Sequence, residues 1–268
     1  YDGRIQPRNI GIKDFWNRLA IAYRDLLIQE LLTKKKKEQL VKPQIVIEHF
    51  FAEFQELNGH LMTADPIHFP GFRLSIEASL SNGVSPCGLL TGIGRFKANN
   101  LDARMGIAIS NLEFQAGAFD MASAHKFCDL LRECMELQLP VVCFISSGGM
   151  QTKEGAGALY SMPILNDRLT RFIRDQNLPV ICFGFGDCTG GAQASFVTHP
   201  LVQTYYFSGT NMPFAGQIVV PSYLPSTSTL SNYLSEIDGA MQGLVKHPFW
   251  TDLDQELERI DPRIPISK

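Results

Sequence analysis

Two glycine pairs, Gly148-Gly149 and Gly190-Gly191, are where the residue types of this chain best suit chemistry. Glycine lets the backbone take φ > 0 and come close to a ligand. An apolar run precedes each pair. Val141, Val142, Cys143, Phe144 and Ile145 lead through Ser146 and Ser147 into the first, and Val180, Ile181, Cys182 and Phe183 lead through residues 184–187 toward the second. Short runs rich in β-branched and aromatic residues and bounded by Gly or Pro read as buried strands of an α/β sheet. A helix that starts right after such a turn leaves its first N–H groups unpaired, where they can hold developing negative charge. Two such turns could build an oxyanion site from backbone alone. Taken singly, each pair is accounted for by a tight strand-to-helix turn; two at equivalent ends of successive units shift the balance toward a site without deciding it.

The elements that must position these turns follow from periodicity. Residues 155–175 have helical spacing, with Leu159, Met162, Leu165, Leu169, Phe172 and Ile173 on one broad face. Residues 122–137 place Phe127, Leu130, Leu131, Cys134 and Leu137 on one face of a helix that leads into Pro140. Before it, short runs at residues 72–76, 87–93 and 105–110 read as a group of strands, with Asn99-Asn100 as a hairpin turn between the last two. Residues 114–119 form a small-residue turn. After the second glycine pair comes a strand-like run at 201–207, then another small-residue turn at Phe214-Ala215-Gly216. Glycine turns repeating in register predict a stacked or spiral arrangement of strand-turn-helix units. Residues 14–38 spell an amphipathic helix that ends in four lysines, the ordinary solvated complement of a helix C-terminus. Residues 44–57 fit a strand or a short helix equally well. Breakers cluster between Asp65-Pro66 and Pro70-Gly71. The expected organisation is a helical or connector segment over 1–66, a main domain over 67–246 and a helical tail or connector over 247–268.

Composition narrows the function. With 268 residues, 45% hydrophobic and 19% charged, the chain has the make-up of a soluble globular protein with a sizeable core. No apolar run reaches the roughly 20 residues that span a bilayer. Tyr1 in place of Met, with no secretory pattern after it, reads as an excised segment or processed product whose true start is unseen. The net charge is −3, and residues 1–43 carry ten Lys and Arg against five Asp and Glu, leaving an acidic body that argues against nucleic-acid binding. The six cysteines contain no C-x-x-C pair, so no zinc ribbon and no metal site is expected. Unpaired cysteines inside apolar runs indicate a reducing, cytoplasmic compartment, or an organelle if a targeting sequence precedes Tyr1.

Several segments, in order, resemble the carboxyltransferase half of biotin-dependent acyl-CoA carboxylases, most closely the bacterial acetyl-CoA carboxylase beta-subunit type. Thr91-Gly92-Ile93-Gly94 is similar to an early T-G-x-G strand, and residues 114–118 to a glycine-rich segment before a helix. Ser147-Gly148-Gly149 with Glu154 is similar to S-G-G-x-x-x-x-E, residues 189–195 to T-G-G-x-x-A-S, and residues 214–216 to F-A-G. The resemblance implies an α/β crotonase-type spiral of strand-strand-helix units with an extra N-terminal helical segment. It implies transfer of a carboxyl group from carboxybiotin, brought by a carrier domain, to an acyl-CoA thioester, with acetyl-CoA giving malonyl-CoA as the first expectation. Backbone N–H groups at Gly148, Gly149, Met150, Gly190 and Gly191 would hold the oxyanions. Gly117, Ala118, Ala192, Arg95 and Lys97 would contact substrate, and the biotin nitrogen would be the base. The partners implied are a homologous second carboxyltransferase half, a biotin carrier and a biotin carboxylase component.

The chain departs from that pattern in two places. It has Met150, Gln151, Thr152 and Lys153 where Ala-Arg-Met-Gln is usual, and the zinc ribbon of many beta subunits is absent. Two further readings stay open. A decarboxylase or hydratase could use the same oxyanion geometry; a hydratase needs paired carboxylates, for which Glu154 and Asp187 are the candidates, each also explained as a helix-capping or structural carboxylate. A silent scaffold half is suggested by the altered residues 150–153.

Overall fold

The computed structural model describes residues 42–96 and 104–206 and, in the N-terminal part, Leu19, Ala22 and Leu26. One six-stranded sheet runs in chain order: β1 (Phe51–Glu56), β2 (Leu89–Phe96), β3 (Arg104–Ser110), β4 (Val141–Ser147), β5 (Val180–Cys188) and β6 (Gln203–Tyr206). The first three strands are antiparallel and the last four parallel. Helix α1 (Pro43–Phe50) precedes β1, and α2 (Phe72–Ser81) lies between β1 and β2. Helices α3 (Met121–Leu137) and α4 (Ala156–Gln176) are the crossovers that parallel pairing requires, α3 from β3 to β4 and α4 from β4 to β5. The segment after β5 is a short helical turn, Gly190–Ala192, running into a π-helical turn, Gln193–Val197.

Side chains alternate across a strand, and the two sheet faces are filled differently. Ala108, Cys143 and Cys182 share a core with the inner faces of α3 and α4, among them Phe127, Leu131, Leu165 and Leu169. On the other face Phe50, Phe144, Phe183 and Tyr205 form a row with ring centroids 6.0, 5.5 and 5.4 Å apart. Phe50 comes from α1, so the helix-then-strand answer to residues 44–57 roofs this face and then supplies the edge strand. The expected boundary after residue 66 falls beyond β1, which pairs with β2 in the same sheet.

Residues 72–76 are not a strand. They begin α2, where Phe72 and Ile76, one helical turn apart, are the buried positions and Gly71 at φ 75° turns the chain into the helix. In α4 the buried face is Ala158, Ser161, Leu165, Leu169 and Phe172, while Leu159 points outward at 57% exposure. The expected hairpin turn at 99–100, the residues from 207 onward and most of the 14–38 helix lie outside the described residues; Leu19, Ala22 and Leu26 are helical.

Candidate active site

Strands β4 and β5 end level with each other. Ser147 is the register partner of Cys188, and the Thr189 N–H donates to the Ser147 carbonyl at 3.0 Å. Both glycine pairs therefore leave the same end of the sheet side by side. Met150 lies across Gly191: a Cβ on Gly191 would fall 2.1 Å from Met150 Sδ and 3.5 Å from Met150 N. Gly149 adopts φ 106°, a region closed to side chains, although a Cβ there would find only ordinary contacts of 3.5 to 3.7 Å with Thr189. Backbone angle calls for glycine at 149, while at 191 a side chain would have to displace the Met150 side chain.

The first turn is held from behind. The Gly148 N–H donates to the Ala116 carbonyl at 3.0 Å, and the Ser147 hydroxyl donates to the Gly117 carbonyl at 2.6 Å while accepting the Gly149 N–H at 3.2 Å. Phe119 N–H donates to Gly149 O at 2.7 Å and Gln151 N–H to Phe119 O at 2.9 Å, so Phe119 and Met150 form a one-residue parallel bridge. The amides of Gly148 and Gly149 are thus engaged inside the protein and are not free to act as oxyanion donors. Those of Met150, Gly190 and Gly191 have no partner among the described residues. The bridge also keeps residues 150–151 extended, so no helix follows the first pair directly. After a single 3-10 turn, Thr152–Glu154, α4 starts at Ala156. The second pair does lead straight into a helical turn.

Above the first turn the chain makes a left-handed one: Gln115, Ala116 and Gly117 have φ of 48°, 53° and 65°. The Lys153 ammonium donates to Gln115 Oε1 at 2.7 Å and sits 5.3 Å from the Phe72 ring centroid. Gly117 adjoins the first glycine turn through its carbonyl, which accepts the Ser147 hydroxyl, whereas the Ala118 carbonyl lies against Gly88. The Ala192 methyl packs downward into the α3–α4 core. Arg95 stands at the far end of β2, opposite Arg104 and paired with Glu53, away from both glycine turns; Lys97 lies outside the described residues.

The buried carboxylates serve the scaffold. Glu154 accepts the Thr63 hydroxyl at 2.5 Å and the N–H of Met121, first residue of α3, at 2.7 Å. Burial raises its pKa, against the pull of both hydrogen bonds. Asp120 caps α3 by accepting the Ser123 N–H at 2.6 Å, accepts the Gly88 N–H at 2.8 Å, and is likewise raised by burial. Asp187 is exposed at the end of β5. Burial, then the Asp120 charge, pushes the Cys87 thiol up to about 12, and burial raises Cys143 and Cys182 too, so none is poised as a thiolate. Among the described residues no group of three or more His, Cys, Asp or Glu could hold a metal, and no helix is long and apolar enough to cross a membrane. Sequence reasoning missed the Ser147 hydroxyl as organiser of the turn, although the motif contains it. It also missed the Lys153–Gln115 contact, which joins residues 38 apart and has no local signal.

No family model matches the chain. The acetyl-coenzyme A carboxylase carboxyl transferase subunit beta of Clostridium botulinum is 28% identical over 219 residues, covering 81% of this chain and 73% of that protein. The chain is a relative of these carboxyltransferase subunits. Among solved structures, the geranyl-CoA carboxylase beta subunit of P. aeruginosa matches 77% of the chain with a TM-score of 0.50 and 20% identity. A Pseudomonas malonate decarboxylase hetero-tetramer matches 73% with a TM-score of 0.51 and 16% identity. The fold is the crotonase-type α/β fold of these carboxyltransferases. The chain spans 36% of the geranyl-CoA carboxylase subunit, about a third of its length. Carboxylase and decarboxylase share the architecture, so the fold does not choose between them.

Proposed function

We propose that this chain is the acyl-CoA half of a biotin-dependent carboxyltransferase, with acetyl-CoA as the first substrate to try. The observation that carries the reading is the meeting of two strand-end turns whose Met150, Gly190 and Gly191 amides have no partner among the described residues. The relationship to carboxyltransferase beta subunits supports it. Uncharged, fixed N–H donors suit an oxygen that becomes negative only as the reaction proceeds, because they need no reorganisation when the charge appears.

In this reading the amides hold the thioester oxygen as the α-carbon loses its proton and becomes the nucleophile. Removing one such donor costs on the order of 10²- to 10³-fold in kcat. Carboxybiotin, when bound, supplies the CO2 unit and the ureido nitrogen that takes the proton. The chain's part is to bind, to orient and to hold charge, which agrees with Glu154 and Asp120 being committed to helix ends. A homologous second half, a biotin carrier, a biotin carboxylase component and a cytoplasmic setting belong to the same proposal.

The test is reverse transfer: malonyl-CoA and biocytin with the full-length protein and the subunit that copurifies with it, followed for acetyl-CoA. The expected result is acetyl-CoA formation that requires both biocytin and the partner. Malonyl-CoA loss at the same rate without biocytin would overturn the reading in favour of a decarboxylase, and no turnover of either kind would favour the scaffold half.

A further inference from the structure

We propose that Lys153 is a positioning residue: its ammonium latches a left-handed turn against the back of the first glycine turn and so fixes the direction of the Met150 N–H. Gln115 and Ala116 stand at φ 48° and 53°, a conformation that L-residues avoid and that persists only where the surroundings impose it. Beyond the turn's own bonds, Gly117 N–H to Phe114 O at 2.9 Å and Ala118 N–H to Gln115 O at 3.0 Å, two side-chain contacts hold it. Phe114, just before the turn, is anchored in a buried cluster with Phe72 and Ile76. Gln115 is held by Lys153, whose ammonium donates to Gln115 Oε1 at 2.7 Å and rests over the face of the same Phe72.

The turn held in this way offers two carbonyls in succession. Ala116 O takes the Gly148 N–H and Gly117 O takes the Ser147 hydroxyl. Those bonds orient the Ser147-Gly148-Gly149 segment; Gly149 at φ 106°, together with the Phe119 N–H on the Gly149 carbonyl, then sets where the next amide, that of Met150, points. Lys153 lies three residues beyond Met150 on the same loop, so the latch closes that loop upon itself through the 115–117 turn. Lys153 needs no substrate contact to do this. Relaxation of Gln115 and Ala116 toward right-handed angles would withdraw both carbonyls at once.

The activity arm of the test rests on the proposed carboxyl transfer; an amide-exchange arm does not. Lys153→Met keeps the stem over Phe72 and removes the donor. In the full-length protein with its copurifying subunit, this variant should lose kcat on the order of 10- to 100-fold, with KM for malonyl-CoA within about twofold of wild type, the signature of misplacement rather than lost binding. Exchange of the Gly148 amide should quicken in the same variant. Lys153→Arg should retain most of the rate. Ala116→Gly placed in the Lys153→Met background should restore kcat and amide protection, because glycine holds the left-handed turn without the latch. A rise in KM alone, an unchanged Gly148 exchange rate, or no rescue by Ala116→Gly would overturn the latch. Absence of turnover in the wild type would end the carboxyl-transfer reading, while Gly148 exchange would still decide this one.

Discussion

Gly148 and Gly149 are neighbours with different reasons to be glycine. Only Gly149 has a positive φ, and a Cβ on Gly148 would stand a comfortable 3.7 Å from Ala116. Gly148→Ala should therefore change the unfolding free energy by no more than about 0.5 kcal/mol, and Gly149→Ala should cost about 1–3 kcal/mol, measured by urea denaturation. Equal costs would mean that the turn is not strained at 149. His199 gives a second residue-scale prediction. It is buried, its Nδ1 accepts the Leu201 N–H at 3.2 Å, and Nε2 lies 3.4 Å from the Thr170 hydroxyl. Burial holds its pKa below the ordinary 6.5. With the folded-state pKa depressed, the stability tied to neutral His199 is present above the ordinary value and is lost as pH falls toward the lower folded one. The raised carboxyls of Asp120 and Glu154 act oppositely: their contribution is present below 3.8 and 4.5 and is lost as pH rises above them. Between about pH 7 and pH 5 the melting temperature of wild type should shift downward relative to that of His199→Gln; parallel curves would remove His199 from the account.

At the scale of elements, α4 shows what apolar spacing can and cannot locate. Its C-terminal half buries Leu165, Leu169 and Phe172, as the spacing predicts, but its first turns bury Ala158 and Ser161 and expose Leu159, Tyr160 and Ile164. Small residues face inward where α4 comes close to α3, with Met121 of α3 covering Gly157, and a reading based on large apolar residues overlooks them. Leu165→Ala should cost about 2–5 kcal/mol, and Leu159→Ala no more than about 0.5 kcal/mol. Comparable costs in denaturant unfolding would contradict the observed face. The run at 72–76 misled for a related reason: five residues cannot separate period 2 from period 3.6, and only packing against Phe114 identifies the helix. By contrast, β4, β5 and α3 were legible because each is a long, strongly patterned element with clear breakers at its ends.

Over the whole molecule, motif order carried the fold: a β2–β3 hairpin followed by two helical crossovers places the S-G-G and T-G-G segments at one end of a parallel pair, where sequence reasoning expected an oxyanion site. What the sequence could not reveal is which amides remain free, since Ala116, Gly117 and Phe119 reach the first turn from about 30 residues away. Of the five amides named from sequence, those of Gly148 and Gly149 are engaged, which leaves Met150, Gly190 and Gly191 as the proposed donors. The chain spans about a third of the geranyl-CoA carboxylase subunit it matches, and the second half and biotin carrier belong to the proposal. The most direct measurement is biocytin-dependent conversion of malonyl-CoA to acetyl-CoA by the full-length protein with its copurifying subunit, run side by side for wild type, Gly148→Ala and Gly149→Ala. The account predicts turnover that needs biocytin, near-normal rates for Gly148→Ala, and a loss on the order of 10²- to 10³-fold for folded Gly149→Ala, whose Met150 donor is misdirected. Full activity in Gly149→Ala, or malonyl-CoA loss indifferent to biocytin, would contradict it.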